Sequence, residues 1–240
     1  MKELLPGLWH FESPAPRVNA YLWSGRRDLT LVDCGYPGHG KAMLEEIQDC
    51  GFRLTDIGRI VLTHADLDHA GGLYEFSHAL RVPVLCHRLE APVLQHPGMR
   101  EFRTADQPDP TRLMVKLTQR IGKPFPGTSP SHFVADGEMV GGEFTTIHTP
   151  GHSPGHVSYL HADTGILLTG DLCTCYGGVV RVPLWHITPE RAECVRSVRR
   201  VLATYGSSLR YLACSHGPPV AGDAARRLKL FVQEQFLPED

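Results

Sequence analysis

Short apolar runs, separated by turns rich in Gly and Pro, set the rhythm of this chain. Residues 8–11 and 18–23 predict two strands, and the turn Ser24-Gly25-Arg26-Arg27-Asp28 leads into a third over 29–33. Gly35 and Gly38 break that strand. Residues 41–50 then place Ala42, Met43, Leu44 and Ile47 at helical spacing, and Gly51 ends the helix. A fully apolar strand follows at 60–62, then a helix over 73–80 and a strand over 82–86. After Phe133 the pattern predicts strands at 138–140, 144–148, 157–161 and 166–169, joined by turns containing Gly141-Gly142 and Asp163-Thr164-Gly165. Thr188 as a cap, Pro189 in the first turn and Gly206 after the end predict a helix over 189–205. A strand over 209–214 and an amphipathic helix over 223–236 close the chain. Strands in runs, with helices between and after them, predict an α+β fold of sheets packed together and covered by helices.

The stretch 87–131 differs from its surroundings. Prolines at 92, 97, 108, 110, 124, 126 and 130 interrupt it, and one amphipathic segment, 111–121, puts Leu113, Met114, Leu117 and Ile121 on one face. It reads as an insertion within a single domain spanning 1–240, either a substrate cap or a surface excursion over a core edge. A chain of 240 residues is long enough to bury a sizeable core in one domain. Its formal net charge of -2, with Lys and Arg scattered, gives no reason to expect nucleic acid as a partner. No apolar run approaches the roughly 20 residues that span a bilayer, and the N-terminus lacks the apolar core of a signal peptide, so a cytoplasmic location is the expectation. Seven cysteines without a C-x-x-C pair fit reduced, buried thiols.

The chemistry is concentrated at the ends of apolar runs. Ile60-Val61-Leu62 leads into Thr63-His64-Ala65-Asp66-Leu67-Asp68-His69-Ala70-Gly71-Gly72, where four groups able to bind a metal fall within six residues. Three later runs end the same way. Residues 144–147 reach His148-Thr149-Pro150-Gly151-His152, 166–169 reach Gly170-Asp171, and 211–214 reach Ser215-His216-Gly217. If the strands share polarity at one edge, His64, Asp66, Asp68, His69, His152, Asp171 and His216 converge. Seven ligands exceed what one tetrahedral zinc ion needs and suit two ions that share a carboxylate.

With these segments in order, the chain resembles the metallo-β-lactamase superfamily. The resemblance rests on Thr63–Gly72, on Thr149-Pro150-Gly151-His152-Ser153-Pro154-Gly155-His156, on Thr169-Gly170-Asp171 and on His216, with Leu31-Val32-Asp33-Cys34-Gly35 similar to the family's early strand. The glyoxalase II-like and lactonase-like hydrolases are the nearest subgroup. The resemblance implies a four-layer αββα sandwich and two divalent metal ions. His64, Asp66 and His152 would hold the first ion, Asp68, His69 and His216 the second, and Asp171 would bridge them. Asp33 and His156 would support the ligands without binding metal. One position departs from the family, whose usual motif is H-x-H-x-D-H; here Asp66 stands in place of the second histidine. Two divalent ions bring about +4, and Asp66, Asp68, Asp171 and a hydroxide bring about -4, so the centre is less positive than usual. Zinc is the first expectation, and Asp66 admits manganese or iron.

The implied reaction is hydrolysis by water activated at the ions and oriented by Asp68 or Asp171, on an ester, thioester or lactone of a small molecule. An iron-dependent oxidoreductase on the same ligands, or a phosphodiesterase, is the alternative. A non-catalytic binding module is a third class, which the otherwise intact ligand set opposes. Tyr176 lies where some lactonases of the family place a substrate-contacting tyrosine, though a packing role is the simpler expectation. Cys173 has no neighbours that mark an activated thiol and is expected to be structural. Oligomeric state is not legible from the chain.

Overall fold

A computed structural model describes residues 1–12, 18–97, 126–183 and 187–234. They form two compact units, Met1–Val134 and Ala135–Asp240.

The first unit is a seven-stranded sheet whose spatial order follows the chain: β1 (Lys2–Leu5), β2 (Leu8–Glu12), β3 (Asn19–Ser24), β4 (Leu29–Val32), β5 (Ile57–Val61), β6 (Val84–His87) and β7 (His132–Val134). Strands β1 to β4 pair antiparallel, whereas β4 to β7 run parallel. A parallel step needs a crossover. The helix α1 (His39–Asp49) supplies it between β4 and β5, and α2 (Leu67–Ala70) and α3 (Leu73–Ala79) between β5 and β6. Met43, Ile47, Leu73 and Phe76 on these helices pack with Phe11, Leu22, Leu31 and Ile60 of the strands. Because β4 and β5 run parallel, Asp33 and Leu62 leave the sheet at one edge.

The second unit holds a six-stranded sheet in the order β15-β14-β11-β10-β9-β8. Strands β8 (Met139–Val140), β9 (Phe144–His148), β10 (Val157–His161) and β11 (Ile166–Gly170) form an antiparallel meander. The helix α5 (Arg191–Tyr205) leads to β14 (Tyr211–Cys214), which joins parallel to β11, and β15 (Val220–Ala221) flanks it. Thus β9, β11 and β14 all point the same way. A separate hairpin, β12 (Thr174–Tyr176) and β13 (Val179–Arg181), and the helix α6 (Ala224–Glu234) complete the unit.

Several boundaries differ from the sequence reading. The strand β1 and the β12–β13 hairpin carry no alternating apolar pattern long enough to signal them. The helix expected from Pro189 begins at Arg191, and Glu190 rather than Thr188 precedes it, without a side-chain cap. Thr188 and Glu190 are drawn instead to the loop after β9: the Glu190 amide donates to the Gly151 carbonyl at 3.2 Å. Two parts of the proposed insertion belong to the body of the first unit. The short helix α4 (Ala91–Gln95) buries Ala91 and Leu94, and on the returning side the Thr128 amide donates to the Leu94 carbonyl at 2.9 Å. The amphipathic segment 111–121 lies outside the described residues. Among the described residues, no helix is long and apolar enough to cross a membrane.

Candidate functional site

In the first unit the loop after β5 carries four of the seven candidate ligands. His64 Nε2 lies 3.6 Å from Asp66 Oδ2, and His69 Nε2 lies 3.8 Å from Asp68 Oδ2. The two imidazole rings sit 4.0 Å apart. The loop therefore presents two His–Asp pairs side by side. Both histidines are fully buried, while Asp66 and Asp68 keep 13% and 21% of their side chains exposed.

Asp33 organises these pairs from the end of β4. It is buried and adopts φ 61°, a left-handed conformation that Asp tolerates better than most residues. Its Oδ1 accepts from the Thr63 amide at 2.8 Å, and its Oδ2 accepts from the Thr63 hydroxyl at 2.8 Å and from His69 Nδ1 at 2.9 Å. With its proton given to Asp33, the Thr63 hydroxyl accepts from His64 Nδ1 at 3.0 Å. Both histidines are then protonated on Nδ1, which leaves the lone pair on Nε2, within 4 Å of an aspartate in each case. Hydrogen bonding at the far nitrogen is how proteins prepare imidazole for a metal.

Gly71 and Gly72 serve packing. A Cβ on Gly72 would lie 2.3 Å from the Cys34 carbonyl oxygen, and one on Gly71 would lie 2.3 Å from Pro37 Cδ. At both glycines the close approach is to neighbouring chain.

In the second unit the edge shared by β9, β11 and β14 brings the other three ligands together. Asp171 stands between two histidines: its Oδ2 is 3.5 Å from His152 Nε2, and its Oδ1 is 3.4 Å from His216 Nε2. His152 Nδ1 is 3.3 Å from the Thr188 hydroxyl. His156 plays a different part. Its Nε2 accepts from the Asp171 backbone amide at 2.9 Å, which puts its proton on Nδ1, 2.8 Å from the Thr149 hydroxyl. The chain continues from Thr149 to the Ser158 hydroxyl at 3.0 Å and ends on the Thr169 carbonyl at 3.0 Å. His156 thus ties the loop after β9 to the start of the loop after β11, with both ring nitrogens engaged.

Gly151 lets the His152 loop lie on α5. Its φ is 136°, and a Cβ there would be 2.3 Å from the Cys194 amide nitrogen. Tyr176 is half-exposed at the end of β12. The preceding Cys175 amide donates to the His216 carbonyl at 3.1 Å, so the hairpin is anchored directly on the His216 loop.

The family model described as Metallo-beta-lactamase superfamily matches residues 14–203. The chain belongs to that superfamily. The probable metallo-hydrolase YqgX of Bacillus subtilis is 31% identical, over 84% of this chain and 86% of its own length. The hydroxyacylglutathione hydrolase GloC of Haemophilus influenzae is 25% identical, over 67% of this chain and 68% of its own. Against the uncharacterised YobT of B. subtilis, 32% identical over 68% of this chain, the match spans 64% of the relative. The crystal structure of TTHA1429, a metallo-beta-lactamase family protein from Thermus thermophilus, superposes with a TM-score of 0.71 at 27% identity. That superposition covers 97% of this chain and 81% of the other. The fold is the α+β metallo-β-lactamase fold.

Hydrolysis by metal-activated water needs no protein nucleophile, and the Cys173 and Cys194 thiols are unsuited to be one. Six of the seven cysteines are buried. Burial, reinforced by the nearby Asp171 charge, pushes the Cys194 thiol up to about 12. A hydrogen bond with Cys214, together with burial, holds the Cys173 thiol well above its ordinary value. Neither is a thiolate near neutral pH. The sequence reading did not find Thr188, whose Thr-Pro-Glu context matches a helix cap. Nor did it find the Thr63 hydroxyl, which sits inside the motif but has no ligand chemistry of its own.

Proposed function

We propose that the two ligand sets join in one dinuclear metal centre that hydrolyses an ester, thioester or lactone. His64, Asp66 and His152 would hold the first ion, Asp68, His69 and His216 the second, and Asp171 would bridge them. The observation that carries this reading is Asp171, which turns one carboxylate oxygen toward each of two histidines. That arrangement matches the two His–Asp pairs of the loop after β5. The first set offers four groups and the second three; catalytic sites of this kind use three protein ligands per ion and keep a position open, so two ions call on both sets.

The donor set suits divalent ions, because His64 and His69 are held in the tautomer that offers Nε2 and three carboxylates stand among the candidate ligands. Bound there, such ions would supply Lewis acidity, making water a nucleophile at neutral pH and taking up the negative charge that develops on the substrate oxygen. The chain's own residues do the rest. Asp68, the more exposed carboxylate of the loop, orients the attacking water and accepts its proton. Asp171 keeps the two histidines of the second unit at a fixed spacing. Asp33 and His156 hold ligands and loops in place through the hydrogen bonds described above. Tyr176 contacts substrate from the hairpin anchored on His216. The hydroxyacylglutathione hydrolase name of GloC supports an acyl substrate.

Zinc is the expected metal. Asp66 favours the second reading, an iron- or manganese-loaded centre, because a carboxylate in place of imidazole suits harder ions. Elemental analysis of protein purified without added metal, followed by an ester, thioester, lactone and phosphodiester panel, tests both. Two equivalents of zinc with turnover of an acyl substrate is the expected outcome. Iron with oxygen consumption and no hydrolysis would replace it by the second reading.

A further inference from the structure

Glu90 is a carboxylate of the first unit that the ligand assignment leaves without a role. It is 2% exposed and lies where β6 passes into α4. Since β6 runs parallel beside β5, its end reaches the same edge of the sheet as the metal-binding loop. There Glu90 Oε2 accepts at 2.9 Å from the amide of Ala65, the residue between His64 and Asp66. Asp33, from the strand on the other side, accepts from the Thr63 amide. The loop is thus clamped by a buried carboxylate on either flank.

A neutral amide side chain could also accept the Ala65 hydrogen bond, though more weakly. What a carboxylate adds is a buried negative charge, felt nearby at Cys86, whose thiol burial and the Glu90 charge together push up to about 12. Along the chain that charge is bonded one residue from each of two candidate ligands. We propose that Glu90 is a positioning residue for the His64–Asp66 pair. It fixes the Ala65 peptide through its hydrogen bond and strengthens binding of a divalent cation there through its charge. This rests on the reading that His64 and Asp66 are ligands.

The test compares the metal-free wild-type full chain with Glu90→Gln and Glu90→Ala, titrating zinc ion against a chromophoric chelator and following melting temperature. Glu90→Gln should keep the wild-type melting temperature of the metal-free chain, because its amide oxygen still accepts from Ala65. It should weaken one of two zinc-binding steps by about 10–100-fold and leave the other unchanged, the range typical of residues that act on a ligand from behind. Glu90→Ala should lose both the affinity and the loop. Wild-type zinc affinity in Glu90→Gln would overturn the role of the charge while leaving the ligand assignment standing. A wild-type chain that binds no zinc would overturn both.

Discussion

Replacing Asp171 with Asn is expected to reduce hydrolysis by more than about 100-fold, beyond the range seen when a residue behind a ligand is lost. The substitution keeps the side chain's shape and leaves the backbone amide free to donate to His156 as before. It changes only the charge and one oxygen. That oxygen becomes an NH2 group facing the Nε2 of either His152 or His216, so one of the two contacts turns from shared ligation into a donor aimed at a histidine. Bound metal should fall from two equivalents to one or fewer, while the melting temperature of the metal-free protein is retained. Steady-state turnover with elemental analysis reads the result. Unchanged turnover and metal content would remove Asp171 from the centre.

Asp33 should show the second largest effect, and its two obvious variants should separate stability from metal binding. Asp33→Ala strands the Thr63 amide and the His69 Nδ1–H without their buried acceptor, frees the Thr63 hydroxyl proton, and places Ala at φ 61°. Unsatisfied buried donors cost about 1–3 kcal/mol each, so a loss of roughly 3 kcal/mol or more is expected. For a chain of this size that is a fall in melting temperature of about 6–12 °C. Asp33→Asn should recover much of this, since Asn tolerates the left-handed region and its carbonyl can still accept from Thr63. Its NH2 group, however, faces His69 and favours the tautomer with the proton on Nε2. Metal affinity should therefore remain depressed by about 10–100-fold in a protein that melts near wild type. Thermal melting and metal titration on the same samples check this. Full metal affinity in Asp33→Asn would mean that the His69 tautomer is not set from Asp33.

The parts of this protein that were legible from its residues are those whose signal is local. The motif His64 to Gly72 packs its ligands into one extended stretch and one helical turn, so no tertiary information is needed to see them together. Asp171 and His216 are farther apart in sequence, yet each directly follows an apolar strand, and parallel pairing of β11 with β14 brings those ends to one edge. Glu90 and Thr188 had no such signal. Glu90 sits in a proline-broken stretch that reads as an excursion, and only the pairing of β6 with β5 gives it a target. Thr188 followed by Pro matches a helix start, but its hydroxyl meets His152 and the helix begins later. A local preference worth about 1 kcal/mol is readily overridden by a tertiary contact of that size. The hairpin β12–β13 was missed because strands of three residues leave too few positions to establish a period.

Asp66 carries the proposed choice of metal. Its carboxylate faces His64, and Glu90 is bonded to the intervening peptide, so the first pair is richer in negative charge than an imidazole at that position would make it. The metal preference proposed for that pair rests on those two residues together.

Anomalous scattering from crystals of the manganese-loaded protein measures the central claim most directly. Two peaks are expected, one bound by His64, Asp66 and His152 and the other by Asp68, His69 and His216, with Asp171 touching both. A single peak held by residues of only one unit, or peaks that leave Asp171 uncoordinated, would contradict the dinuclear centre.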